Sequence, residues 1–141
     1  MITLLTALAV LGGCTVARWY LERPGRRTET TAWGHVELTA LWNHGGAFGL
    51  PVGQKTLASL SALALGTLWT QRRRSRLGTG LVLGGGLSNL WERVRHGRVY
   101  DYVRFPKAPG ALKRYVFNLA DFAIFAGAIA LLLGSGKRRK R

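Results

Sequence analysis

The sequence has a single cysteine, Cys14, among its 141 residues. One cysteine permits no disulfide within the chain, which excludes the disulfide framework of a small secreted domain. The histidines are also scattered: His35, His44 and His96 share no short ligand spacing, so a metal site is not predicted. The glycines at 84–86 are not followed by the Gly-Lys-Ser/Thr of a phosphate loop.

Acidic residues are scarce. The chain has 6 Asp and Glu against 21 Lys and Arg, a formal net charge of +15. This excess suits either nucleic acid or anionic lipid as a partner. The basic residues fall between apolar runs rather than on one polar helix face, and no nucleic-acid recognition motif is present, so nucleic acid is not predicted as a partner. Membrane lipid is.

Apolar runs alternate with clusters of arginine, which is typical of a membrane protein. Four of the runs approach the roughly 20 residues that a helix needs to cross a bilayer. We predict transmembrane helices over residues 2–21, 51–70, 77–91 and 116–133, in a single domain that covers residues 1–141. The predicted fold class is therefore an all-α membrane protein of four spans, with both termini on the same side.

The segments between the predicted spans differ in character. Residues 35–42 alternate apolar and polar side chains, which predicts a small extramembrane β element between the first two helices. Residues 92–115 are basic and interrupted by proline, so we expect a short helical or irregular loop there. The third helix is rich in glycine, which in lipid lets neighbouring helices approach closely. Lys and Arg are densest at 72–76 and in the tail 137–141, which favours cytoplasmic termini.

The first apolar run has an alternative interpretation as a cleaved signal. The segment from Leu11 to Cys14 resembles the lipobox of bacterial lipoproteins, which would make the chain a lipoprotein precursor. A signal peptide should carry Lys or Arg before its apolar run, and this sequence has neither there. We therefore interpret the run as a retained helix.

Only two aspartates occur, Asp101 and Asp121, and each lies at the edge of an apolar segment. A carboxylate at the centre of a membrane helix costs roughly 2.5 to 3.5 kcal/mol, so such acids indicate function. The predicted topology puts both on one membrane face, where neighbouring carboxyls would share a proton as in aspartic proteases. An ordinary alternative stays open. Asp101 would then pair with Arg98 or Arg104, and the other aspartate would cap or salt-bridge the fourth helix.

Three motifs, in order along the chain, resemble those of lipoprotein signal peptidase, the bacterial signal peptidase II family. The first, Asn-x-Gly-x-Ala-Phe, is matched at residues 43–48. The second, Asn-x-x-Asp-Arg followed by Gly-x-Val-x-Asp-Phe, resembles residues 89–93 and 97–102. The third, Phe-Asn-x-Ala-Asp, is matched at residues 117–121.

The resemblance implies a membrane aspartic protease whose catalytic pair is Asp101 and Asp121. Further positions match residues that bind substrate or support the site: Asn43, Gly45, Asn89, Glu92, Arg93 and Asn118. The implied substrate is a prolipoprotein whose cysteine carries diacylglycerol, and the cut falls just before that cysteine. We expect a monomer in the bacterial cytoplasmic membrane, with the active site near the extracytoplasmic face and no cofactor.

Several positions depart from the family pattern. Glu92 stands where the family usually has aspartate, which adds one methylene next to Arg93. Arg93 is expected either to orient a substrate carbonyl or to pair with this glutamate. Ser88 stands where glycine is common, and residues 18–23 lack the usual Asp and Lys. The alternative function is therefore a non-catalytic relative that binds lipopeptide or lipid through the same groove.

Overall fold

The computed structural model describes residues 1–23, 29–31, 34–45 and 52–136. The fold is mostly helical, with one small antiparallel sheet. In chain order the elements are α1 (Ile2–Leu21), β1 (Glu29–Thr31), β2 (Val36–Asn43), α2 (Gln54–Thr70), α3 (Arg76–His96), β3 (Val99–Arg104), a 3-10 helix (Gly110–Arg114), β4 (Val116–Phe117) and α4 (Leu119–Gly136). The helix start predicted at Pro51 and the basic tail 137–141 lie outside the described residues.

Helix α3 is the centre of the bundle, because α1, α2 and α4 all pack against it. A Cβ atom on Gly84 would lie 2.6 Å from the Cβ of Val10 in α1. One on Gly85 would lie 2.5 Å from the carbonyl oxygen of Ala120 in α4. At both positions any side chain would collide with a neighbouring helix. The prediction that the glycines of the third helix permit close packing is confirmed.

Helix α3 continues to His96, past the predicted end of the third span at Trp91. Basic side chains in its last turn, Arg93 and Arg95 among them, interact favourably with the negative end of the helix dipole. Gly97 then adopts the left-handed conformation, with φ of 66°, and its N–H bonds the carbonyl oxygen of Arg93. Glycine takes this conformation without steric cost, so the helix ends there.

The sheet has four strands in the order β1-β2-β3-β4, each antiparallel to its neighbour. The β element predicted over 35–42 is confirmed as β2. The irregular loop expected over 92–115 is wrong at residues 99–104, which form β3 and pair with β2. β-branched and aromatic side chains, which favour strands, occupy four of its six positions. The pairing puts Asp101 opposite Leu41. The short helical piece expected in the same loop is the 3-10 helix.

By length and composition, one helix in the described part of the chain is long and apolar enough to cross a membrane. It is α1, with 20 residues. Helix α4 is apolar over the shorter stretch Leu119–Gly134. Helix α2 has 17 residues, and α3 carries many glycines and several basic residues. The four-span topology therefore stays a prediction.

Replacing Gly84 with alanine should destabilise the fold, because the new methyl group would lie 2.7 Å from the carbonyl oxygen of Ala7 as well as against Val10. Overpacking of this kind costs about 1 to 3 kcal/mol. The thermal midpoint in detergent should therefore fall. The matched control is Gly66→Ala in α2, where a Cβ meets nothing within 4 Å and the midpoint should hold or rise. Equal midpoints for the two variants would contradict the close α1–α3 contact.

Candidate active site

Asp101 lies in the middle of β3 and its surface is 4% exposed. Its Oδ2 accepts a hydrogen bond of 3.0 Å from Nδ2 of Asn43, at the end of β2. Its Oδ1 accepts one of 2.8 Å from Nδ2 of Asn118, which immediately precedes α4. Each oxygen of this buried carboxyl thus has a donor, which offsets part of the cost of burying a polar group.

The arginines considered as partners for Asp101 make other contacts. The guanidinium carbon of Arg98 lies 4.3 Å from the centre of the Trp42 ring. Arg104 forms an ion pair of 3.8 Å with Glu37 on the neighbouring strand. The hydrogen bonds of Asp101 go to asparagines instead, so the arginine alternative does not describe its surroundings.

Asp121 lies in the first turn of α4. Its Oδ1 accepts a hydrogen bond of 3.0 Å from Nδ2 of Asn89 in α3, and its Oδ2 accepts one of 2.9 Å from the backbone N–H of Asn118. In return, the backbone N–H of Asp121 donates to Oδ1 of Asn118 at 3.0 Å. This reciprocal pair is a capping box. Asp121 therefore does cap the fourth helix, as the ordinary alternative holds, and it also contacts α3.

Asn118 connects the two aspartates. Its Oδ1 faces the N–H of Asp121, and because an N–H donates only to an acceptor, the amide nitrogen must point the other way. That nitrogen donates to Asp101 and, at 3.1 Å, to Oδ1 of Asn89. One hydrogen-bonded group, which we call the asparagine network, therefore includes Asn43, Asn89, Asn118, Asp101 and Asp121.

Gly45 acts on this network through Asn43. Its backbone N–H donates to Oδ1 of Asn43 at 2.8 Å, as in an Asx turn. The bond turns the amide oxygen of Asn43 away from Asp101 and leaves Nδ2 to face the carboxyl. The remaining residues of the first motif, 46–48, lie outside the described residues.

The surroundings of Asp101 favour its protonated form. Burial and the negative charge of Asp121 raise the pKa of Asp101 to about 7, although hydrogen bonds from Asn43 and Asn118 favour the ionised form. Near neutral pH this carboxyl therefore takes up and releases a proton readily. Two adjacent carboxyls that hold one proton between them can act as acid and base on an amide bond.

Glu92 connects α3 to the strand that carries Asp101. Its Oε2 accepts a buried hydrogen bond of 2.8 Å from the backbone N–H of Tyr100. Its Oε1 lies 3.8 Å from Nε of Arg18 in α1, and Nη1 of Arg18 lies 3.2 Å from Nε2 of His96. The ion pair of Glu92 is thus formed with Arg18 rather than with the adjacent Arg93. Glu92 holds β3 in place one residue before the aspartate.

Arg93 lies beside the asparagine network. Its Nε is buried and has no hydrogen-bond partner among the described residues. Its positive charge interacts with the carboxyls of Asp101 and Asp121. The structure therefore places a cation next to both acids. The role of orienting a substrate carbonyl stays a prediction.

Sequence reasoning missed two supporting contacts. The hydroxyl oxygen of Tyr102 accepts a hydrogen bond of 2.9 Å from the N–H of Leu119, a group that the start of α4 would otherwise leave unpaired. Burial raises the pKa of Tyr102 to about 12, so the hydroxyl stays neutral. Ser88 is buried and its hydroxyl hydrogen-bonds the thiol of Cys14. The aromatic position of the second motif signals Tyr102, whereas no local pattern signals a contact between α1 and α3.

Comparison with known proteins finds relatives named lipoprotein signal peptidase. The family model described as Signal peptidase (SPase) II matches residues 3–136. A lipoprotein signal peptidase of Nitrobacter hamburgensis is 38% identical over 123 residues, covering 79% of this chain and 75% of that protein. One from Syntrophomonas wolfei is 39% identical, covering 82% and 80%. One from Methylobacterium radiotolerans is 40% identical, covering 71% of this chain and 63% of the relative, so the match with this one spans less than two thirds of its length.

Two solved structures of a bacterial membrane enzyme have a similar fold. Their TM-scores are 0.81 and 0.80, at 20% and 19% sequence identity. The likeness covers 99% of this chain and 92% and 94% of the solved chains. It shows that the four helices and the sheet form an arrangement known from a membrane enzyme.

The raised pKa of Asp101 predicts how stability changes with pH. In the unfolded chain this carboxyl ionises near its ordinary value of 3.8, whereas in the folded protein it ionises at about 7. Its contribution to stability is therefore full at low pH and is lost as the pH rises from about 4 to about 7. Replacing Asp101 with Asn removes this loss. The thermal midpoint of the variant, relative to the unsubstituted protein, should rise between about pH 4 and about pH 7 and change little above that.

The control for this experiment is Glu37→Gln, which removes an acid from the same sheet but outside the asparagine network. Its difference in midpoint from the unsubstituted protein should not rise over that interval. A flat difference for Asp101→Asn would show that the carboxyl ionises at an ordinary pH in the folded protein.

Proposed function

This chain belongs to the signal peptidase II family, and on that premise we propose that it is a membrane-embedded aspartic endopeptidase. The proposed reaction removes the signal peptide from prolipoproteins whose cysteine carries diacylglycerol, with the cut just before that cysteine. The observation that supports this most is the asparagine network, in which one side chain, Asn118, bonds both Asp101 and the capping box of Asp121.

In the proposed mechanism Asp121 is the base and Asp101 is the acid. Asp121 lies at the N-terminal end of α4, where the helix dipole favours negative charge, and it accepts hydrogen bonds on both oxygens. The ionised Asp121 takes a proton from water as the water oxygen bonds to the carbon of the scissile amide. Protonated Asp101 gives its proton to the carbonyl oxygen, so the tetrahedral intermediate carries no net charge.

Collapse of the intermediate reverses these transfers. Asp121 gives its proton to the leaving nitrogen as the C–N bond breaks. Asp101 takes back a proton from the hydroxyl group that becomes the carbonyl of the new carboxyl end. The pair then holds one proton again, and no covalent bond to the enzyme has formed. Asn43 and Asn118 keep Asp101 in position throughout, because their donors face its two oxygens.

Exposed apolar side chains support a position of the bundle within the bilayer. Phe125 and Leu132 in α4 are 69% and 75% exposed, and Leu4 and Leu8 in α1 are also exposed. Apolar surface of this kind favours contact with lipid or protein over water. We propose that all four helices span. At 1.5 Å per residue, the 21 residues of α3 extend about 31 Å and the 17 residues of α2 about 26 Å.

The orientation proposed for the bundle follows from where charge lies. The aspartates are at the end of the bundle that holds the sheet, where the hydroxyl of Tyr100 also bonds the carbonyl oxygen of Leu21 at the end of α1. The turn at 72–76 is at the other end and contains four arginines. Dense arginine favours the cytoplasmic side. The aspartates then face the extracytoplasmic boundary, where a substrate held by acyl chains can reach them.

The reaction is tested by replacing either aspartate with Asn, which keeps the shape of the side chain but cannot transfer the proton. Cleavage of a diacylglyceryl-modified precursor should slow by about 100-fold to 10,000-fold for Asp101→Asn and for Asp121→Asn, the range expected for loss of acid–base catalysis. Product formation in detergent is measured by the change in mass. The control is Glu22→Gln, which removes an exposed carboxylate beyond the end of α1 and should keep its rate.

Unchanged cleavage by Asp121→Asn would refute the proposed pair. Binding of the lipidated precursor by the unsubstituted protein without any cleavage would instead favour the non-catalytic, lipopeptide-binding alternative. The thermal midpoints of both variants are also measured. A variant that folds normally but does not cleave has lost the catalytic group and not the fold.

The proposed topology is tested by cysteine labelling in a Cys14→Ala background. Lys107→Cys, in the segment before the 3-10 helix, should react with an impermeant maleimide added to intact cells whose outer barrier has been opened. Arg73→Cys should react only after the cytoplasmic membrane has been permeabilised. Both residues are exposed, so access depends on the side of the membrane. Labelling of both from the same side would contradict the proposed spans.

A further inference from the structure

A second site lies at the end of the bundle opposite the aspartates. A cavity of about 410 Å³ opens there between the start of α1, the end of α2 and the start of α3. Part of its wall is cationic and is formed by Arg72, Arg73 and Arg76. The rest is largely apolar and includes Leu4 and Trp69. The cavity shares no residue with the asparagine network.

One arginine of the cavity is fixed by the fold. Nη1 of Arg72 donates to the carbonyl oxygen of Trp69 at 3.0 Å, and its guanidinium carbon lies 4.6 Å from the centre of the Trp69 ring. A positive charge and an aromatic plane are thereby held together in the wall. Arg73 and Arg76 are exposed, so their guanidinium groups are accessible to a ligand from outside.

No acidic side chain lies nearby in sequence to neutralise these arginines. The sequence contains no Asp or Glu at residues 1–21, 38–91 or 122–141. All six acids fall at residues 22–37 and 92–121, the segments that lead into and form the sheet end of the molecule. The cavity also adjoins the N-terminal, positive end of the α3 dipole. An anion from outside the chain is therefore the natural counter-charge.

We propose that this cavity binds the phosphate group of an anionic phospholipid. Guanidinium groups bond phosphate oxygens through paired N–H donors, which suits Arg73 and Arg76. The apolar wall favours a phosphate that carries hydrocarbon over a free phosphate ion. Leu8, one turn after Leu4 on the same face of α1, is exposed and continues this apolar surface, where an acyl chain would lie. The site rests on the proposed membrane position of the 72–76 turn and is independent of the aspartic mechanism.

The test compares thermal midpoints of the full chain in detergent micelles that contain phosphatidylglycerol, phosphatidylcholine or, without added lipid, inorganic phosphate. Phosphatidylglycerol should raise the midpoint by about 3 to 6 °C over phosphatidylcholine, as a ligand that binds only the folded state does. Inorganic phosphate should not reproduce the rise. The double variant Arg73→Gln, Arg76→Gln should lose at least half of it.

The matched control is Arg95→Gln, Arg114→Gln, which removes the same charge from exposed positions at the other end of the molecule and should keep the full rise. If the Arg73/Arg76 double variant does not fold, Arg73→Gln alone is measured and should show a reduced rise. An undiminished rise in these variants, or an equal rise with phosphatidylcholine or with phosphate alone, overturns the proposal. Asp121→Asn should keep the rise, so failure of the lipid site and failure of the catalytic proposal are distinguishable.

Discussion

The hydrogen bonds of Asn118 are the interaction on which the rest of the site depends. Its side-chain oxygen and its backbone N–H close the capping box with Asp121, while its amide nitrogen bonds Asp101 and Asn89. Every donor of this residue, and the acceptor of its side chain, is engaged. The start of α4, the strand β3 and the last turns of α3 are thereby joined at one side chain.

The surrounding fold supplies rigid support for that junction. Glycines bring α1 and α4 against α3, so that the helices from which Asn89 and Asp121 project stand close together. The pairing of β2 with β3 fixes Asn43 relative to Asp101, and Glu92 connects this pair of strands back to α3 through the N–H of Tyr100. Each carboxyl is therefore held by at least one element that is distant in sequence, Asp101 by the end of β2 and Asp121 by α3.

The sequence predicts which residues form the site better than it predicts the contacts that position them. Motif order identified all of the residues that meet in the asparagine network, and hydrophobic alternation identified β2. The strand β3 was not predicted, because the basic residues on either side of it are typical of a loop. Its pairing partner, β2, also lies far away along the chain. The same distance concealed the Arg18–Glu92 ion pair. Local sequence patterns indicate helix and strand propensity. These contacts depend instead on which distant segments are brought together when the chain packs around α3.

The double use of Asn118 also limits how this position can vary. Aspartate would cap α4 equally well, yet it would place a third carboxylate against Asp101 and remove the donor that faces it. Serine would keep the cap but has no amide with which to reach two acceptors at once. Alanine would lose both functions. Helix capping and the donor to Asp101 are two separate requirements, and none of these three replacements meets both. A change that preserves the helix cap can therefore still disturb the carboxyl pair.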